Sequence, residues 1–260
     1  MSLVSIITPT YNAERTIASC IESVIAQTYP DWEMLITDDC SQDSTVKIVE
    51  QYAASDARIR LIRLEKNGGA GAARNRSITE AQGRYIAFLD ADDRWMPNKL
   101  QRQVEFMQQH QVKVCYSSYV TARPMDVSDE VFGVVPCPKR VTYRDILRDD
   151  RMGCLTLIYD ARSLGKVLMP LMRRRQDWAM KILLLQKAGV AYGVPDTLAV
   201  YRVASGSLSG GRKSSLVRYN VAVYRETLGY SNLRAWLAFA FLFMPHYLYK
   251  RLVLKMINSY

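Results

Sequence analysis

Histidine and cysteine are scarce in this chain of 260 residues, with two of the first and five of the second. The cysteines, at 20, 40, 115, 137 and 154, form no C-x-x-C pair and are odd in number, so neither a zinc site nor a full disulfide framework is suggested. That usage fits a reducing compartment. His110 and His246 stand alone and read as structural residues. Low-complexity tracts and internal repeats are missing, and 49% apolar content suffices for one large domain or a domain with an appendage. The amino-terminal MSLVSIITPTYN has no basic n-region and no cleavage site, so the chain is expected to stay in the cytoplasm.

Acidic residues nearly vanish towards the end. Residues 201–260 carry nine Lys or Arg against one Glu, a net +8, whereas residues 1–100 net −3. Such asymmetry suits nucleic acid, anionic lipid or a phosphorylated ligand, and charge alone does not choose among them.

What the chain does have is alternation. Apolar runs of strand length, LVSIIT, WEMLIT, IRLIRL and YIAFL, are each followed by a helix-length periodic segment, at 13–27, 43–54, 70–81 and 98–109. This pattern predicts βαβ units, an α/β fold and a mostly parallel sheet with both faces covered. From about 111 the order becomes VKVCYSSYV, a Pro-containing loop near 124–138, a short helix at 142–148, CLTLIYD, a helix at 177–188 and the strand TLAVYRV. Two basic helical segments follow, at about 212–229 and 233–257.

Ligands of open parallel sheets sit at the carboxyl ends of the strands. There this chain places TPTYN, DDCSQDST, NGGAGAARN and DADD. The first βα turn lacks G-x-G-x-x-G, which disfavours a dinucleotide fold, and GSLSGGRKS at 206–214 puts Arg212 at the Lys position of a P-loop and Lys213 at its Ser/Thr position. Asp90 and Asp92 form an Asp-x-Asp at a strand end, where a hard cation, Mn²⁺ or Mg²⁺, relieves their repulsion and bridges two phosphates. The competing reading makes them a turn with helix-capping aspartates before MPNKL, and Asp93 is the one most suited to a supporting role. Asp38 and Asp39 can accept hydrogen bonds from a base or ribose, although DDCSQDST is also good turn and capping chemistry. Thr8, Pro9 and Tyr11 end the first strand, with Tyr11 available to lie against a base; a plain turn is the alternative. Gly69 permits close backbone approach, and Arg74 can reach an anionic or carbonyl oxygen of a nucleotide or else be a solvated helix residue.

In order and spacing, VSIITPTYN, DDCSQDST, NGGAGAARN, FLDADD, RQDW and YRVASGSLS resemble the inverting family 2 glycosyltransferases of the GT-A fold, of the teichuronic-acid, capsule or O-antigen type, from Val4 to about Ser209. The resemblance implies a GT-A domain at 1–210, a helical extension at 211–260, a nucleotide-sugar donor, most simply a UDP-sugar, and a surface-glycan acceptor carried on lipid. It places the catalytic carboxylate at Asp177, which composition alone reads as an N-cap, in a Gln-Asp where the family usually has Glu-Asp. It also implies that Asp38 meets the nucleotide. Arg202, Ser205, Ser207 and Arg212 lie in a Gly/Ser-rich loop that can close over the diphosphate or serve as a surface linker, and Ala204 stands where many members carry a metal-binding His. Rival functions are a sugar nucleotidyltransferase, disfavoured because TPTYNAERT lacks a Gly-rich basic loop, and a nucleic-acid-binding protein, supported by the C-terminal charge alone.

The uncharged stretch Ala235–Tyr249 is interrupted by Pro245 and His246, which argues against a bilayer-spanning helix. With Trp236, Tyr247 and Tyr249 at its ends and Arg234, Lys250, Arg251 and Lys255 beside it, the segment is expected to lie on the inner face of the cytoplasmic membrane. Packing against the catalytic domain or a second subunit is the alternative, and an oligomer is compatible with either.

Overall fold

The computed structural model describes residues 2–124, 129–203 and 213–257. Its first half is the expected alternation: β1 (Val4–Thr10), α1 (Ile17–Ile25), β2 (Trp32–Asp38), α2 (Thr45–Ser55), β3 (Ile59–Arg63), α3 (Gly69–Glu80), β4 (Tyr85–Phe88), β5 (Arg94–Trp95) and α4 (Lys99–Gln109). The second half contains β6 (Val114–Arg123), β7 (Glu130–Val135), β8 (Arg140–Thr142), α5 (Tyr143–Ile146), β9 (Ile158–Asp160), α6 (Ala161–Leu164), α7 (Gln176–Ala188) and β10 (Val190–Arg202). Helices α8 (Lys213–Ala222), α9 (Asn232–Ala238) and α10 (Met244–Ile257) close the chain, joined in part by π turns at Val223–Thr227 and Phe239–Phe243.

One mixed sheet runs β3-β2-β1-β4-β9-β6-β10-β5, with β7 on β6 and β8 on β10. The β3-β2-β1-β4 part is parallel, whereas β9 pairs antiparallel with both β4 and β6. Strand order reverses at β1, whose neighbours are β2 on one side and β4 on the other. A crevice opens at such a point because the chain leaves the two strands toward opposite faces.

Both faces are covered, as continuous apolar strands require. Val4, Ile6, Met34, Ile36 and Ala87 pack with α1, α2 and α4, while Ile7, Leu35, Ile86 and Phe88 pack with α3, α7 and the C-terminal helices. Ala235, Ala238 and Phe239 are buried in that second layer, and Trp178 of α7 meets the rings of Tyr224 and Phe243. The C-terminal segment therefore packs on one face of the sheet with α3 and α7. No helix among the described residues is long and apolar enough to cross a membrane.

Two expectations shift. CLTLIYD is not one strand: Cys154–Thr156 form a 3₁₀ turn before β9. Leu155 and Leu157 enter opposite apolar layers, which residues two apart on one strand cannot do. The loop near 124–138 also contains β7, whose Val131, Phe132 and Val134 are all exposed, so no apolar alternation announces it.

Candidate active site

Every motif singled out at a strand end lies at the carboxyl edge of the sheet. Thr8 and Thr10 point to one side of β1, and their hydroxyls are buried without a hydrogen-bond partner among the described residues. Orphaned hydroxyls at a ligand crevice are groups that a ligand can satisfy. Pro9 costs the sheet nothing. The carbonyls of Leu3 and Ile7 bond to β4, so an N–H at residue 9 would face the position where β4 has already ended. Tyr11, just past the strand, is half exposed at 52%.

Asp38 is buried, and its carboxylate accepts bonds from the backbone and hydroxyl of Ser41, at 3.0 and 2.5 Å. Asp39 plays a different part. It accepts the N–H groups of Gly68 and Gly69, at 2.7 and 2.8 Å, and so clamps the start of α3 from the neighbouring loop. Gly69 takes φ +81°, a conformation that disfavours any side chain, and this explains the glycine there.

Asp90, Asp92 and Asp93 occupy the crossing from β4, in mid-sheet, to β5, which pairs with the end of β10. The helix-capping alternative for them is not realised: α4 starts after Asn98 with no side-chain cap. Asp93 is buried and accepts the backbone N–H of Arg202 at 2.9 Å, an anchoring role. Asp90, one-third exposed, receives Arg74 Nη2 at 2.6 Å. Arg74 is itself buried on α3 and is held firmly charged: burial opposes the charge, but the Asp90 carboxylate outweighs it. Thus Arg74 is buried and paired with Asp90 rather than solvated. Burial, followed by the charge of Asp90, pushes the Asp92 carboxyl above its ordinary range.

No group of three or more His, Cys, Asp or Glu side chains among the described residues could hold a metal alone. Asp90 and Asp92 fit a hard cation as part of its shell, with phosphate oxygens completing it.

Asp177 is not the N-cap. It is the second residue of α7, after Arg175 at φ +67°, and its carboxylate stays 37% exposed. Gln176 packs on α3 so closely that a Cβ on Gly71 would lie 2.3 Å from its amide oxygen. This contact sets Asp177 beside the Arg74–Asp90 pair. Burial alone would raise the Asp177 carboxyl, but Lys181 and then Arg74 hold it below the ordinary carboxylate range.

Arg202 is not on a loop. It ends β10, is buried, and donates to Asp129 Oδ1 at 2.8 Å and Ser19 Oγ at 2.6 Å. The sites inferred at Ser205, Ser207 and Arg212, and the position of Ala204, lie outside the described residues. Sequence reasoning did not single out Thr10 and Ser41 within their motifs, and it missed Asp129 and Lys181 because only the fold brings those two near Arg202 and Asp177. His246 contacts Arg151 at 2.6 Å and His110 lies against Phe106, so both are structural as expected.

The family described as glycosyl transferase family 2 matches residues 5–157, more than half of the chain. A Bacillus subtilis (strain 168) protein named as a candidate teichuronic acid biosynthesis glycosyltransferase, TuaG, is 42% identical over 86% of this chain and 88% of its own. The chain belongs to glycosyltransferase family 2. It is also 36% identical, over 83% of both chains, to an Escherichia coli protein named UDP-Glc:alpha-D-GlcNAc-diphosphoundecaprenol beta-1,3-glucosyltransferase WfgD. Among solved structures, S. aureus TarS 1-349 in complex with UDP-GlcNAc shares the fold, with a TM-score of 0.71 and 22% identity over 90% of this chain and 69% of that one. The mannosyltransferase PcManGT from Pyrobaculum calidifontis, in complex with GDP-Man and Mn²⁺, does so with a TM-score of 0.65 and 18% identity over 88% and 65%. The fold of this family 2 glycosyltransferase is accordingly GT-A, and the enzyme assignment rests on the family itself.

Proposed function

We propose that this glycosyltransferase moves a sugar from a UDP donor to a hydroxyl of a lipid-linked surface glycan, inverting the anomeric centre, with Asp177 as the base. The observation that carries this reading is the convergence of Asp90, Arg74 and Asp177 at the crevice where strand order reverses. The nucleotide lies along the ends of β1 and β2, with Tyr11 against the base, Asp38 and the threonine hydroxyls toward the nucleoside, and Gly69 where backbone must come close. Asp90 and Asp92 would hold Mn²⁺ or Mg²⁺, which would supply electrostatic stabilisation of the charge on the departing UDP. Arg74 keeps Asp90 aimed, and Arg202, fixed by Asp129 and Ser19, supports the same wall.

Inversion is a single displacement. The acceptor oxygen attacks the anomeric carbon as its bond to the diphosphate breaks, and the hydroxyl proton passes to Asp177. A carboxylate kept ionised by Lys181 and Arg74 is ready to accept it. The name of WfgD, with a UDP-Glc donor and a diphosphoundecaprenol-linked acceptor, supports this substrate class.

Residues 1–210 act as the transferase unit and 211–260 as an extension that also faces lipid. Leu233, Trp236, Leu237, Phe241, Leu248 and Tyr249 are exposed on it, beside Arg234 and Lys250. A peripheral position on the inner membrane face confines enzyme and acceptor to one surface.

The deciding experiment is Asp177→Asn, whose side chain keeps its size in the first turn of α7. Binding of UDP with Mn²⁺ should persist, while transfer should fall roughly a hundredfold to ten-thousandfold, the usual contribution of a general base. Near-normal turnover would remove Asp177 from the chemistry.

A further inference from the structure

Lys181 lies one helical turn beyond Asp177 on α7, and its side chain is 1% exposed. A buried ammonium is costly unless each of its donors is matched. Here they are. Nζ donates to both oxygens of Asp150, at 2.9 and 2.8 Å, and to the carbonyl of Met152 at 2.6 Å, while Asp177 Oδ2 lies 3.4 Å away. The segment that supplies Asp150 and Met152 is pinned from outside as well, because Lys250 of α10 donates to Asp149 at 2.9 Å and Arg151 contacts His246. Stability alone does not explain so elaborate an arrangement, since an apolar residue of similar volume at 181 would avoid burying two charges.

We propose that Lys181 is a positioning residue for transfer: fastened by Asp150 and Met152 beneath the site, its ammonium orients the Asp177 carboxylate toward the acceptor. This rests on Asp177 being the base. Lys181 never touches donor or acceptor; it acts through Asp177. The charged and titratable groups that face Asp177 are Lys181 on its own helix, Arg74 from α3, and Asp150 and Cys154 from the segment between α5 and β9. The Cys154 thiol is neutral, because burial pushes it up to about 12. Of the two cations, Lys181 is the one in contact with Asp177, at 3.4 Å, whereas Arg74 is paired with Asp90.

The test follows carboxyl-carbon resonances of aspartate-labelled full-length protein between pH 4 and 8, with Asp177→Asn assigning the signal. In the wild type, Asp177 should show no titration in this range. In Lys181→Met it should titrate inside it, since the stronger of the two cations that oppose burial is gone and only Arg74 remains. In parallel, UDP-glucose hydrolysis with Mn²⁺ should lose at least tenfold in kcat, with KM and UDP affinity unchanged within about twofold. Should Lys181→Met not fold, Asp150→Asn loosens the same ammonium and should lower kcat several-fold at constant KM. An untitrated Asp177 in Lys181→Met, a wild-type kcat in either variant, or a matching rise in KM would each overturn the proposal. If Asp177→Asn retains turnover, the assignment of the base fails, yet the titration still reads the positioning. If Asp177→Asn loses turnover and Lys181→Met does not, this inference alone fails.

Discussion

Lys99 should destabilise this enzyme, and replacing it with methionine should stabilise the fold in a pH-dependent way. Lys99 opens α4 with its side chain fully buried, and its amine has no hydrogen-bond partner among the described residues. Nζ lies 3.8 Å from the centroid of the Trp95 ring, a cation–π contact that returns about 1–2 kcal/mol. Burial pushes the amine down from 10.5 to about 7. At about 1.4 kcal/mol per pH unit, that difference makes the charged form about 5 kcal/mol less favourable in the folded state than in the unfolded one, and the ring contact reduces the net to roughly 3–4 kcal/mol. The sign follows from linkage. Between pH 10.5 and 7 the unfolded chain binds this proton and the folded chain does not, so wild-type stability falls as pH drops through that window and levels off below it. Methionine fills similar volume and has no proton to bind. Guanidinium unfolding of both proteins at pH 7, 8.5 and 10 should show Lys99→Met ahead by about 3 kcal/mol at pH 7 and by less than about 1 kcal/mol at pH 10. Tyrosines and cysteines that titrate in the same range are common to both proteins and cancel in the difference. A gap that stays constant with pH, or a less stable variant at pH 7, would refute the reasoning.

Asp90→Asn and Asp92→Asn should each abolish Mn²⁺-dependent UDP binding in calorimetry while the circular dichroism stays native; undiminished affinity in both would dismiss the metal assignment. Asp39→Ala frees two backbone N–H groups at the start of α3 and should lower stability by about 2–3 kcal/mol in denaturant unfolding, together with a weaker UDP affinity. A native midpoint would mean the clamp is idle. Replacing Trp236, Phe241 and Leu248 with serine removes mainly exposed apolar surface, so the folded variant should lose co-sedimentation with anionic liposomes. Wild-type sedimentation of that variant, or no sedimentation of either protein, would end the membrane proposal.

Much of the fold was legible because β1, β2 and β4 are buried on both faces, which writes them as largely apolar runs with ligand-facing loops at their ends. The acidic crossing after β4 was legible for a related reason, since no apolar packing asks for three aspartates in four positions. The exposed strand β7 and the 3₁₀ turn at Cys154–Thr156 were not legible, because their conformation depends on neighbours rather than on their own pattern. The division of labour among the acids is also a tertiary property. In sequence, Asp38 and Asp39 are adjacent and interchangeable, as are Asp92 and Asp93. The fold turns Asp38 to its own loop and Asp39 to the start of α3, and it buries Asp93 against Arg202 while placing Asp92 where burial and the charge of Asp90 raise its carboxyl. Asp177 is the clearest case. Its carboxyl is set by Lys181 from its own helix, but also by Arg74, about a hundred residues earlier, and by Asp150, on a segment that α10 pins down. The sequence alone determined which residue types could carry the chemistry; which carboxylate is charged, anchored or available depends on distances in a low-dielectric site, and only the packed chain sets those distances.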